Sequence, residues 1–170
     1  MFDGPDLRAR GVSLRWACRE DAAFLRELFE TARPDAAVLA AWPEGARRPF
    51  LDQQFQFQCV HYARVYPAAD QLVIAHADER IGRLTLDRAP NGWCLVDIAL
   101  LPAWRGRGVG TLLLQRIQSA AVRAAVPHLC LSVDVRNPAR RLYARLGFIA
   151  TEDEDGMANI EMAYRAAAVS

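Results

Sequence analysis

Apolar residues recur along this chain with two periods that trade places several times. Residues 13–18 read as a short strand. From Glu20 and Asp21 the spacing becomes helical, with Ala22, Leu25, Leu28, Phe29 and Ala32 on one face and Arg33-Pro34 as the stop. Pro34, Pro43, Gly45 and Pro49 interrupt the stretch 35–49, which predicts a loop. A second helix is predicted over 50–65, with Phe50, Leu51, Phe55, Cys59 and Tyr62 as its apolar face. Residues 72–77 and 81–87 alternate as strands around a turn at 78–80, and Asn91-Gly92 is a second turn signal. Residues 93–101 are almost wholly apolar, which predicts a strand at the centre of the sheet. A helix over 109–125 buries Val109, Leu112, Leu113, Ile117, Ala120, Ala121 and Ala124. Residues 129–135 alternate again as a strand. Asn137-Pro138 then open a short helix that runs to Leu146 and ends on Gly147. Residues 148–151 and 159–165 flank an acidic turn at 152–156 and read as a final hairpin. The order βα(α)βββαβαββ predicts one mixed α/β (α+β) domain over residues 1–170, with no repeat or linker.

Composition narrows the chemistry. The chain has 21 Arg, no Lys and 30 Ala among 170 residues. Without Lys there is no Schiff-base or lysine base chemistry, and no Walker-A loop, which needs Gly-Lys-Ser/Thr. The Arg and Ala excess is a composition bias, so one Arg by itself says little. A net charge of +1 argues against a nucleic-acid binder and against strongly cationic acceptors such as polyamines. The longest uncharged run, residues 53–63, is too short to span a bilayer, and residues 1–11 lack a signal-peptide core. No membrane association and a cytoplasmic location are expected. Cys18, Cys59, Cys94 and Cys130 are widely separated, form no metal motif and are expected to be small buried apolar residues.

The most informative stretch is residues 97–111. A buried strand leads to Pro102, then to Gly106, Gly108 and Gly110, then directly into a helix. Glycines let the backbone bend and approach a ligand, and the helix start offers free N–H groups with partial positive charge. This is an anion site suited to a pyrophosphate, flanked by Arg105 and Arg107. The spacing is G-x-G-x-G rather than the dinucleotide fingerprint G-x-G-x-x-G, and no acidic residue follows at the required distance, which disfavours a nicotinamide enzyme.

R-G-R-G-V-G, from Arg105 to Gly110, resembles the Arg/Gln-x-x-Gly-x-Gly/Ala signature of the GNAT superfamily of acyl-CoA-dependent N-acetyltransferases. Leu100-Leu101-Pro102 resembles the strand end that precedes it, and Leu142 to Phe148 resembles the family's L-Y-x-x-L-G-F segment. The resemblance is strong from Asp97 to Phe148 and weak before Gln71. It implies a central, mostly antiparallel twisted sheet flanked by helices, with a splayed strand pair that forms a CoA cleft. Residues 1–70 would form the helical acceptor side and 71–165 the cofactor-binding core. Acetyl-CoA would be the co-substrate, with no metal. Its pantetheine arm would pair with backbone at Ala99, Leu100 and Leu101, and its pyrophosphate would meet Arg105, Gly106, Arg107, Gly108, Val109, Gly110 and Thr111.

Acetyl transfer to an amine needs a proton acceptor, an oxyanion donor and a proton for the leaving thiolate. Tyr143 suits the last task, since a phenol pKa of about 10 exceeds a thiol pKa of about 8.5. The oxyanion donor would be a backbone N–H around Ala99 or Leu100. Asp97, a carboxylate in an apolar strand, is either a catalytic or ammonium-binding group or a member of a structural ion pair. His61 and bound water are the other candidates for base. Gln54, Gln58, His61 and Tyr62 share one face of the second helix and are the candidate acceptor-binding residues. Trp42, Phe50, Phe55, Phe57 and Tyr62 would make an aromatic wall or ordinary core. Many family members carry Asn seven residues before the Tyr. Here that position is Arg136, and Asn137 reads equally as a helix cap or a CoA contact, with Arg140 and Arg141 near the phosphates or solvated. The expected function is N-acetyl transfer to a small-molecule or peptide amine by direct attack in a ternary complex. A non-catalytic acyl-CoA-binding module is the alternative, and a homodimer is compatible with the resemblance.

Overall fold

The structure is a computed structural model that describes residues 4–151 and 158–165. It is a seven-stranded mixed sheet with helices on both faces, in the strand order β1-β2-β3-β4-β5-β7-β6. The strands are β1 (Val12–Trp16), β2 (Asp70–His76), β3 (Glu79–Ala89), β4 (Gly92–Leu100), β5 (Leu129–Asp134), β6 (Ile149–Ala150) and β7 (Asn159–Tyr164). All neighbours are antiparallel except β4 and β5. The apolar β4 is the fourth strand of seven, as its composition predicts. The acidic turn at 152–156 lies outside the described residues.

The helices are α1 (Pro5–Ala9), α2 (Ala22–Ala32), α3 (Ala36–Ala40), α4 (Glu44–Val65), α5 (Val109–Arg123) and α6 (Arg140–Arg145). α5 lays Leu113, Leu114, Ile117 and Ala121 on one sheet face, against Leu84, Leu86, Leu95 and Leu131. Its buried Gln118 donates to the Leu146 carbonyl at 2.7 Å. On the other face α2 packs Phe24 and Leu28 on Val73 and Ala99. A separate small core of Phe29, Leu39 and Leu51 joins α2, α3 and α4.

The predicted loop at 35–49 is largely helical. The Ala-rich run 36–41 has high helix propensity, and extended Pro43 caps α4 by accepting from Ala46 and Arg47. Pro49 sits inside α4. It gives up one hydrogen bond, to Gly45, which has open space around it. The expected apolar face of α4 is thinner than its sequence suggests: Leu51 is its one fully buried residue, and Phe57, Val60 and Val65 are exposed. The cysteines also differ from expectation. Cys18 and Cys59 are exposed, Cys94 and Cys130 are half-buried, and the last two face each other across β4 and β5.

Two features of β4 shape the site. Its pairing with β5 covers only Trp93 to Leu95, so beyond Leu95 the two strands separate and leave a gap between 96–100 and 132–134. At that point Val96 has no partner in β3, because Leu86 pairs with Leu95 and Thr85 with Asp97. This bulge reverses the alternation. Before it, odd residues Trp93 and Leu95 face α5. After it, Ile98 and Leu100 do, and Asp97 and Ala99 turn to the face of α2 and α4.

Candidate active site

The gap is bounded at its top by the glycine turn. Gly106 and Gly108 have φ of 70° and 80°, which only glycine adopts without strain, whereas Gly110 lies within the first turn of α5. The first main-chain bond of α5 runs from Leu112 N–H to the Gly108 carbonyl at 3.0 Å. Helix geometry leaves the N–H groups of Gly108, Val109, Gly110 and Thr111 free for an external acceptor. Arg107 stacks on Trp104, 5.2 Å from its ring centre, and among the described residues its guanidinium is in no ion pair. Arg105 is engaged differently. It donates to the Leu100 carbonyl at 3.0 Å and to the Thr31 carbonyl near the end of α2 at 2.9 Å, so it ties the turn to its surroundings.

The strand edge facing the gap can be read residue by residue. Leu101 N–H donates to the Ile81 carbonyl at 2.9 Å. Antiparallel alternation then turns the main-chain groups of Asp97, Ala99 and Leu101 towards β3 and those of Ile98 and Leu100 towards the gap. Ala99 and Leu101 therefore do not offer N–H groups there. Leu100 does, and so does Ile98, which sequence reasoning missed because a bulge has to be seen to be counted.

Tyr143 approaches from α6. Gly147, at φ 83°, ends this helix with Phe148 N–H bonded to the Tyr143 carbonyl and Gly147 N–H to that of Ala144. This left-handed stop fixes Tyr143 and brings Phe148 back against its ring, 5.9 Å centre to centre. Tyr143 is buried as a residue, and among the described residues its hydroxyl has no hydrogen-bond partner. No fully buried side-chain polar atom among them lacks a partner, so this hydroxyl keeps an opening to the surface. Its pKa is pushed up to about 12, first by burial and then by the Asp97 carboxylate, so the phenol stays protonated at neutral pH. Asn137 lies in the turn before α6, where its Oδ1 accepts from Ala139 N–H at 2.9 Å, and the N-cap of the helix is Ala139. Arg140 donates to the Val135 carbonyl at 2.9 Å, and Arg136 pairs with Asp134.

Asp97 has a partner. Arg83, on β3, donates from Nε to Asp97 and from Nη2 to the Gln58 Oε1 on α4 at 2.6 Å. Gln58, Cys59, Tyr62, Phe55, Leu25 and Arg83 line a cavity of ≈ 70 Å³ beside this pair. Of the four candidate acceptor residues, Gln58 and Tyr62 reach the cavity. Gln54 does not line it, and His61 faces solvent. Among the aromatic residues Phe55 and Tyr62 line it, whereas Phe57 is exposed and Trp42 meets the Phe50 ring at a tilt of 45°. Burial, and then Asp97, push the Tyr62 phenol above its usual range. Arg83 and Thr85 were missed by sequence reasoning. Their signal was their place as alternate polar residues in a strand, which looks the same for a solvated face. Among the described residues no group of His, Cys, Asp or Glu could hold a metal ion, and no helix is long and apolar enough to cross a membrane.

Residues 67–150 match the family model of the acetyltransferase (GNAT) domain. No curated protein matches the sequence. Among solved structures the chain is similar to the PaiA N-acetyltransferase of Thermoplasma acidophilum in complex with coenzyme A, at 18% identity, TM-score 0.67, over 91% of this chain and 99% of that one. An acetyltransferase of Thermus thermophilus aligns at 19% identity, TM-score 0.64, over 91% and 97%. The ribosomal-protein-S18-alanine N-acetyltransferase of Escherichia coli aligns at 18% identity, TM-score 0.61, over 91% and 93%. At these identities the likeness concerns the fold.

Proposed function

This chain belongs to the GNAT acetyltransferases, and from that premise we propose that it transfers an acetyl group from acetyl-CoA to a primary amine of a small molecule or peptide, by direct attack in a ternary complex. The observation that carries the reading is the conjunction of a free main-chain cradle at Gly108–Thr111 with a protonated Tyr143 hydroxyl that has no partner among the described residues. We treat residues 1–170 as one domain with its acceptor side in 1–70 and its cofactor side in 71–165, and we place it in the cytoplasm.

The residues fit the co-substrate. The free N–H groups of α5 and the Arg107 guanidinium suit a pyrophosphate. The main chain of Ile98 and Leu100 offers a strand edge to an amide-bearing arm. Bound there, acetyl-CoA supplies the acyl group as an activated thioester. Leu100, next to the cradle, pairs with the arm, and Ile98 N–H, farther along the strand, is the donor for negative charge on the acyl oxygen. Tyr143 Oη holds the proton that a leaving thiolate needs. Asp97, held by Arg83 of the cavity wall, receives the ammonium or its proton through water.

Isothermal titration with acetyl-CoA and CoA tests the cradle, and absence of binding at tens of micromolar rejects it. An amine panel read by free-thiol release tests the transfer. Tyr143→Phe is expected to lower kcat about 10- to 100-fold with little change in CoA affinity. A variant with full turnover removes Tyr143 from the reaction.

A further inference from the structure

The acceptor cavity is closed by apolar side chains of Ala17, Leu25, Phe55, Tyr62 and Leu72, and among the described residues Arg83 is its only charged lining residue. The Arg83 side chain is 12% exposed and that of Asp97 20%, so the pair is largely out of water. Nε of Arg83 is on Asp97 and Nη2 on Gln58, which fixes the guanidinium between β4 and α4. Arg83 Nε engages Oδ2 of Asp97, which leaves Oδ1 for one ammonium beside the cavity. Among the described residues no second carboxylate lines this space. The other titratable lining groups, the Cys59 thiol and the Tyr62 phenol, are both pushed up by desolvation and stay neutral. A second positive charge carried into this space would be buried without a partner. The volume of ≈ 70 Å³ also lies well below the roughly 300–1,000 Å³ of drug-sized sites, which suits a compact group.

We infer that Arg83 is a specificity-determining residue that neutralises the acceptor site, so that the site takes a primary monoamine bearing a compact apolar group and rejects diamines. This rests on the acetyl-transfer reading above. It concerns which amine enters, not how the acyl group moves. The role of Arg83 is reciprocal: without it, Asp97 would present one uncompensated negative charge to the cavity and favour a dication.

The test compares 3-methylbutylamine with 1,4-diaminobutane, together with a peptide α-amine, by free-thiol release in the presence of acetyl-CoA. In the native protein the monoamine is expected to exceed the diamine in kcat/KM by about 10-fold or more. Arg83→Gln is expected to move that ratio about 10-fold towards the diamine, and Arg83→Lys to keep it. A native preference for the diamine, turnover of the peptide alone, or an unchanged ratio in Arg83→Gln overturns the inference. If Arg83→Gln does not fold, a native preference for the diamine still overturns the inference, and a ratio lost in Arg83→Lys overturns the role of the charge at Arg83. Turnover of no amine, with acetyl-CoA bound, rejects the acetyl-transfer reading instead.

Discussion

The cradle and the cavity are built on opposite plans. The cradle is one run of chain, Gly106 to Thr111, and its working groups are main-chain N–H donors whose direction follows from two positive φ angles and a helix start. The cavity is made of side chains from α2, α4, β2 and β3, distant in sequence, and its one charge is set by a contact between Arg83 and Asp97 on neighbouring strands. A main-chain site tolerates almost any side chain that leaves the backbone path alone. A side-chain site depends on every packing contact that brings its walls together. The first plan suits the part of a reaction shared by a whole family, and the second the part that differs between members.

The contrast can be tested by disturbing each side separately. Leu51→Ala should have the largest effect on stability, about 3 kcal/mol in urea unfolding, because Leu51 is fully buried in the small core that holds α4. CoA affinity of the folded variant should stay within about twofold, since no cradle group touches that core. A parallel loss of CoA binding would merge the two regions. Gly108→Val comes next, at about 2 kcal/mol, because a β-branched residue is strained at φ 80° and its Cβ would stand 3.0 Å from Arg10 Nη1. Here titration should show CoA binding lost while the α2–α4 core still melts cooperatively.

Asp21→Asn probes the pin between β1 and α2. Asp21 is buried and accepts from Arg15 at 2.6 and 2.7 Å and from Cys18 N–H at 2.9 Å. Arg15 holds its carboxyl far below the usual carboxylate range, against the opposing effect of burial. A depressed native pKa contributes stability that is complete above the unfolded value and is lost as pH falls towards the native one. The variant should therefore be about 1–2 kcal/mol less stable at pH 7, discounted because Arg15 is half-exposed, with the difference shrinking progressively below about pH 4. An equal difference at pH 7 and at about pH 2 in urea melts would show that packing, not charge, is lost. The smallest effect belongs to Gly110→Ala. Its Cβ would meet only Leu142, at an ordinary 3.9 Å, so the helix should gain about 0.5–1 kcal/mol. If CoA affinity also falls, the ligand approaches the backbone at that residue. Unchanged affinity confines close approach to Gly106 and Gly108.

Much of the region from β4 to α6 was legible beforehand, and each legible element had a local cause. The strand at 93–101 and the helix at 109–125 followed from unbroken apolar pattern, and the stop at Gly147 from the need for a left-handed residue. The region 35–49 was misread because proline and glycine were counted as breakers, while Pro43 acts as a cap and Pro49 falls where its missing N–H costs a single bond. On α4, periodicity placed Gln54 and His61 beside Gln58 and Tyr62, but only the latter two reach the cavity. Periodicity names a face, and the angle at which a helix crosses the sheet decides which part of it is used.

Residues close along the chain settle the order of elements, the glycine turn before α5 and the place of Tyr143 one turn before a helix stop, so the amino-acid order alone was enough for these. Where Asp97 looks, and with whom it pairs, needed the assembled sheet. One unpaired residue, Val96, reverses the alternation of β4, turns Asp97 from the α5 face to the face of α2 and α4 and sets it against Arg83. A bulge exists only between two strands, because it is a mismatch in their register. No periodicity within either strand contains it.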